Sequence, residues 1–165
     1  MASPPPIIFL DIDGVLNDVA FLDKRDVSGP RVWDGTWSDM INPAAVARLN
    51  RILDATGAHV VISSSWRIAR TNEQILETLR GHGFTGRIVG RTDSLGARFM
   101  EIRMYAAHHR LERWIAIDDG NMSELGERMV LTSWARGGLL DEHVEQACAK
   151  LGGAHQERER KEPTR

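Results

Sequence analysis

The chain contains one cysteine, one tyrosine and three lysines in 165 residues, and it has no apolar run near the length of a membrane span. A lone Cys148 excludes an intramolecular disulfide framework and any zinc site built from cysteines. Its small and apolar neighbours in a late helical pattern make it a core residue. The opening MASPPPIIFLDID meets its first acid too early for a signal peptide, so the expectation is a cytoplasmic protein with no membrane partner. There is no excess of one charge either. Twenty-one basic against twenty-three acidic residues leave a formal −2, which argues against a field built to hold duplex nucleic acid or anionic lipid. Internal repeats are absent, and the prolines at the start and the charged end HQERERKEPTR are the only biased segments.

With 42% hydrophobic and 27% charged residues the composition fits one globular domain, expected over 1–152, followed by a charged, unstructured tail over 153–165. Five short runs rich in isoleucine and valine read as strands: Ile7 to Asp11, His59 to Ser63, Arg87 to Arg91, Trp114 to Asp118 and Met129 to Thr132. Helical patterns lie between most of them. One starts at Asn42 with Pro43 in the first turn and stops at Gly57; another starts at Thr71 with Gln74 as capping-box partner and ends by Gly81 or Gly83. A third covers Arg98 to His109, and a fourth carries Val144, Ala147, Cys148 and Leu151. This alternation predicts an α/β fold, three layers deep, around a mostly parallel five-stranded sheet. The stretch from about 15 to 40, with Trp33 and Trp37, keeps no period and is too long for a connector, so it reads as a small flap over the strand ends or as a loop anchored by its tryptophans.

The chemistry concentrates at strand ends. In IIFLDIDGVLN, Asp11 and Asp13 close an apolar strand two residues apart, and Gly14 lets the chain turn away beside them. Carboxylates this close repel unless a cation or a shared proton intervenes, and Mg2+ favours one or two carboxylates together with substrate phosphate. A calcium loop does not fit, because Gly14 is fourth from Asp11 where such a loop needs its glycine sixth. A second acidic pair, Asp118 and Asp119, ends the run IAIDDG. In a parallel sheet both pairs reach the carboxyl edge, where a metal would offset their repulsion. HVVISSSWR brings Ser63, Ser64, Ser65 and Arg67 to the same edge, as phosphate ligands or as ordinary turn residues. Arg98, opening a helix, is the best placed cation for a reacting group, with Arg103 in reserve. His108 and His109 read as helix-end residues, and Trp66 and Trp134 either stack on a base or pack in the core.

In this order, DIDGVLN, VVIS, an arginine before a helix, and IDDG resemble the haloacid dehalogenase (HAD) superfamily of phosphotransferases and phosphatases, from Ile7 to about Leu140. LDIDGVLN, SSSWR, Arg98 before Glu101 and Ile102, and the double aspartate look most like its small members with a short flap in place of a cap domain. Those are similar to the phosphatase half of polynucleotide kinase-phosphatases and to domains of RNA end repair. The resemblance implies a Rossmann-like fold and a Mg2+-dependent phosphomonoesterase acting on a phosphorylated substrate, with RNA or DNA 3′-ends as one class and nucleotides or other small molecules as the alternative. It implies Asp11 as nucleophile forming an aspartyl-phosphate, and Asp13 as general acid and base. Ser63 and Arg98 would act on the phosphoryl group, and Gly14, Ser64 and Arg67 would contact substrate. Mg2+ would sit on Asp11, the Asp13 backbone carbonyl, and Asp118 or Asp119. Arginine stands at Arg98 where lysine is more usual, and three consecutive serines leave the second motif's register open by one residue. A receiver-like phospho-binding module, or a non-catalytic relative, is the reading from another class. Receivers, however, keep their acidic pair on the first strand and their acceptor on the third.

Overall fold

The computed structural model describes residues 3–24 and 40–152. Trp33, Trp37, most of the expected flap and the tail over 153–165 lie outside them.

The five strands form β1 (Ile7–Leu10), β2 (His59–Ile62), β3 (Ile88–Arg91), β4 (Trp114–Asp118) and β5 (Met129–Leu131). They make one sheet in the order β3-β2-β1-β4-β5, parallel throughout. β1 and β4 are buried along their whole length, as expected of central parallel strands covered on both faces. Alternate residues feed two cores. Ile8 and Leu10 meet Val46, Leu49 and Ile52 of α2 (Pro43–Thr56), Ile75 and Leu79 of α4 (Asn72–Arg80), and Val144 and Ala147 of α6 (Asp141–Gly152). Ile7 and Phe9 face the other way, onto Ile102 and Ala106 of α5 (Arg98–His108) and onto Leu125. The layers are therefore helix, sheet, helix, a Rossmann-like arrangement.

Local signals set the helix ends. The Asn42 side chain accepts from the Ala44 N–H, and Gly57 closes α2 in the left-handed region at φ 67°. Thr71 and Gln74 form both halves of a capping box. Cys148 packs against the larger core from a partly buried position. Two short helices have no sequence period, α1 (Val19–Asp23) and α3 (Trp66–Ala69), since one turn is too short to show one. The insertion after β1 begins later than residue 15. Val15 and Leu16 are fully buried in the core, Asn17 and Asp18 are buried, and α1 follows. The Asn42 N–H donates to the Leu16 carbonyl (2.8 Å), so the insertion is pinned shut at its base. Among the described residues no helix is long and apolar enough to cross a membrane.

Candidate active site

The strand order does most of the assembly. Because β1 lies between β2 and β4 with Leu10 level with both Ile62 and Ile117, the residues that follow Leu10 and Ile62 meet the end of β4 at the same height. The Asp11 N–H donates to the Ile117 carbonyl and the Ser63 N–H to the Leu10 carbonyl, each at 3.0 Å. The sheet runs outward from β1 in both directions, so the gap between β1 and β4 is the switch point at which open α/β sheets bind ligands. Asp11 and Asp118 stand on either side of it.

Asp11 is 4% exposed and Asp118 1%. Arg98, in the first turn of α5, reaches both through one nitrogen: Nη1 lies 3.0 Å from Asp11 Oδ2 and 2.8 Å from Asp118 Oδ2. Burial, and next the Asp118 charge, push Asp11 up to about 6, with Arg98 and a hydrogen bond from Ser64 pulling the other way. Burial works against the charge on Arg98, but Asp11 and Asp118 outweigh it and hold the guanidinium above its ordinary value. Burial and then Asp118 also raise the half-buried Asp119. One guanidinium thus faces three carboxyl groups, Asp11, Asp118 and Asp119, which offer oxygens within 4.8 Å of one another. Hard oxygen donors in charge deficit fit a small divalent cation such as Mg2+. Among the described residues it is the one such cluster, and the adjacent His108 and His109 are not part of it. His109 instead stacks on Tyr105 at 4.1 Å between ring centres.

The Asp13 side chain is not in that trio, contrary to the expectation of four converging carboxylates. Its Oδ1 accepts from Asn17 Nδ2 at 2.9 Å and its Oδ2 from the Trp66 indole N–H at 3.0 Å. Asn17 Oδ1 in turn accepts from the Gly14 N–H at 2.9 Å, which fixes which end of the amide faces Asp13. Trp66 is 6% exposed and belongs to the core, so it neither lies open for a base nor serves packing alone. Gly14 differs from its expected role too. Its N–H is engaged by Asn17 rather than free for substrate. Its φ is 76°, and a Cβ there would sit 2.1 Å from Asp119 Oδ2, so glycine is needed for the close approach of Asp119. The Thr132 hydroxyl donates to the Gly14 carbonyl at 2.7 Å and ties the end of β5 to this turn.

Arg67, expected to contact substrate, is a buried strut. Nε donates to the Thr92 carbonyl, Nη1 to the carbonyls of Ser63 and Ser64, and Nη2 to the Asp93 carbonyl and Glu101 Oε2. A guanidinium has five N–H donors, and all are taken. The other Glu101 oxygen accepts from the N–H groups of Leu95 (2.6 Å) and Gly96 (2.9 Å). Arg67 and Glu101 therefore lock the end of β2 to the loop that delivers Arg98. The sequence showed Glu101 only as part of a motif; its pairing across 34 positions is visible only in three dimensions. Ser64 bonds Asp11, whereas the buried Ser63 hydroxyl finds no partner among the described residues. Arg103 is exposed on α5.

Residues 7–144, well over half the chain, match the family model described as the HAD domain in Swiss Army Knife RNA repair proteins. The chain belongs to this family. No curated protein and no solved structure matches it. As a HAD domain it has the fold of HAD-type phosphatases, a class whose domains typically use Mg2+.

Proposed function

We propose that the protein is a Mg2+-dependent phosphomonoesterase working through an aspartyl-phosphate on Asp11, with terminal phosphates of nucleic acid as its substrate class. The observation that carries the reading is the Asp11–Arg98–Asp118 contact at the β1/β4 switch point, with both carboxylates buried and Asp13 held separately beside it. The Asp11 carboxylate attacks phosphorus, and the P–O bond to the leaving alcohol breaks. Asp13 gives that oxygen a proton, then takes one from the water that releases phosphate and restores Asp11. Arg98 shifts from its carboxylate partners toward the phosphoryl oxygens, as befits a reaction driven by charge placement. The unpartnered Ser63 hydroxyl has a donor free for one of those oxygens. Asp11, Asp118, Asp119 and the Asp13 carbonyl would hold Mg2+, which offsets phosphoryl charge when bound. The family's setting in RNA repair proteins supports a nucleic-acid end as substrate.

The test is release of p-nitrophenol from p-nitrophenyl phosphate with Mg2+, with chelator, and with Asp11→Asn, followed by oligonucleotides carrying 3′- or 5′-phosphate. Turnover that needs both Mg2+ and Asp11 is expected. A folded wild-type protein that hydrolyses none of these substrates above the Asp11→Asn background removes the phosphatase reading. The signalling alternative predicts a phosphoryl-Asp11 that persists for minutes without turnover.

A further inference from the structure

A cleft of about 610 Å3 is lined by Asp119 of the carboxylate cluster, by Asn121, by Ser133, Trp134 and Arg136 just past the end of β5, and by the start of α6. Resting on the phosphatase reading above, we propose that this cleft holds the rest of the substrate, and that the substrate is the end of a single nucleic-acid strand. The Trp134 ring takes the terminal base and Arg136 the neighbouring phosphodiester.

Three observations support the assignment. The cleft shares Asp119 with the carboxylate cluster, so a group attached to a phosphoryl at Asp11 can reach into it. Its volume is that of a site for a whole nucleotide rather than for a phosphate alone. Its lining also carries unused recognition chemistry. Trp134 is 37% exposed on a short 3-10 turn (Trp134–Arg136), and Arg136 makes no ion pair or side-chain hydrogen bond among the described residues. A partly exposed indole next to a guanidinium with no side-chain partner among the described residues can take an unstacked base and its backbone. The remaining charges at the cleft are Asp119, inside the carboxylate cluster, and Glu142, 3.7 Å from His143. The turn is firmly built. Gly138 follows it at φ 64° with its Cβ position only 2.7 Å from the Val15 carbonyl, and α1 packs against it. With a net charge of −2 and one arginine at the cleft, the grip suits a strand end better than a duplex.

The decisive experiment compares kcat/KM on a 3′-phosphorylated oligonucleotide, the matching mononucleotide and glycerol phosphate, with the oligonucleotide in ribose and deoxyribose forms and with a 5′-phosphate control. The proteins are wild type, Trp134→Ala, Trp134→Phe and Arg136→Ala. The expected result is that the wild type prefers an oligonucleotide. Trp134→Ala lowers the oligonucleotide to glycerol phosphate ratio about tenfold or more, and Trp134→Phe restores most of it. Arg136→Ala flattens the salt dependence on the oligonucleotide by a slope of about 0.7. Equal turnover of oligonucleotide and mononucleotide, or a ratio unmoved by Trp134→Ala, overturns the proposal while leaving the phosphatase intact. Fluorescence anisotropy of a labelled 3′-phosphorylated oligonucleotide on the Asp11→Asn protein reads the cleft without chemistry. Binding there that depends on Trp134, in a protein whose wild type hydrolyses nothing, would instead sink the phosphatase and spare the cleft.

Discussion

Asp11 sits where its negative charge is poorly tolerated, and this has a measurable sign. Its proton is held more tightly in the fold, at about 6, than at the ordinary value of 3.8, so between those values the folded state binds more protons than the unfolded chain. Stability contributed by this residue therefore falls as pH rises through that window, by on the order of 3 kcal/mol in full. Without metal, Asp11→Asn is expected to be the more stable protein at pH 7.5, with the difference vanishing near pH 4. Added Mg2+ should raise the wild-type melting temperature more than that of the mutant. A mutant less stable than wild type at neutral pH would contradict this. Asp13 depends on two neutral donors for its orientation, the Asn17 amide and the Trp66 indole. Trp66→Phe keeps an aromatic ring in the core but loses the N–H together with the pyrrole half of the indole, so kcat should fall roughly five- to tenfold with little change in KM. An unchanged kcat in both Trp66→Phe and Asn17→Ala would show that Asp13 needs neither. These contacts were hidden in the sequence: DIDGVLN ended on an asparagine with no evident task, and tryptophan suggested stacking or packing. A hydrogen bond between positions 13 and 66 leaves no periodic or spacing signal.

At the scale of elements, strands and long helices were legible because burial and capping are local. Short runs rich in isoleucine and valine, Asn42 with Pro43, and Thr71 with Gln74 each mark an element or its end without help from the rest of the chain. Arg67 departs from its sequence reading for the complementary reason. An arginine in a serine-rich turn has the chemistry of a phosphate ligand, and only the arrival of Thr92, Asp93 and Glu101 around it shows that every donor is taken. The Arg67–Glu101 pair, with both side chains 5% exposed, joins two elements that carry site residues, the end of β2 and the start of α5. Breaking a pair buried this deeply costs about 3–5 kcal/mol. Glu101→Gln is thus expected to lower the melting temperature by several degrees or more. In whatever fraction remains folded it should also reduce kcat, because Arg98 loses the loop that aims it. Arg67→Lys should behave alike, since three ammonium donors cannot replace five in a planar fork. Full stability in Glu101→Gln would mean the pair does not hold the edge together.

For the molecule as a whole, the order β3-β2-β1-β4-β5 turns residues more than a hundred positions apart into neighbours, and this convergence was inferable from parallel strands alone. The division of labour within it was not. Three carboxyl groups gather about Arg98 while Asp13 turns aside to Asn17 and Trp66, because Gly14 bends the chain and admits Asp119 in its place. That separation gives two acids two environments, one among carboxylates and the Arg98 guanidinium and one beside neutral donors, as a nucleophile and a proton carrier require. The central claim is that phosphorus becomes bonded to Asp11. Its most direct test is to quench the protein in acid during turnover of a phosphorylated substrate, reduce any acyl-phosphate with borohydride, and map the product by peptide mass spectrometry. The account predicts homoserine at position 11, absent when Mg2+ is chelated; homoserine at position 13, or at neither position while turnover proceeds, would contradict it.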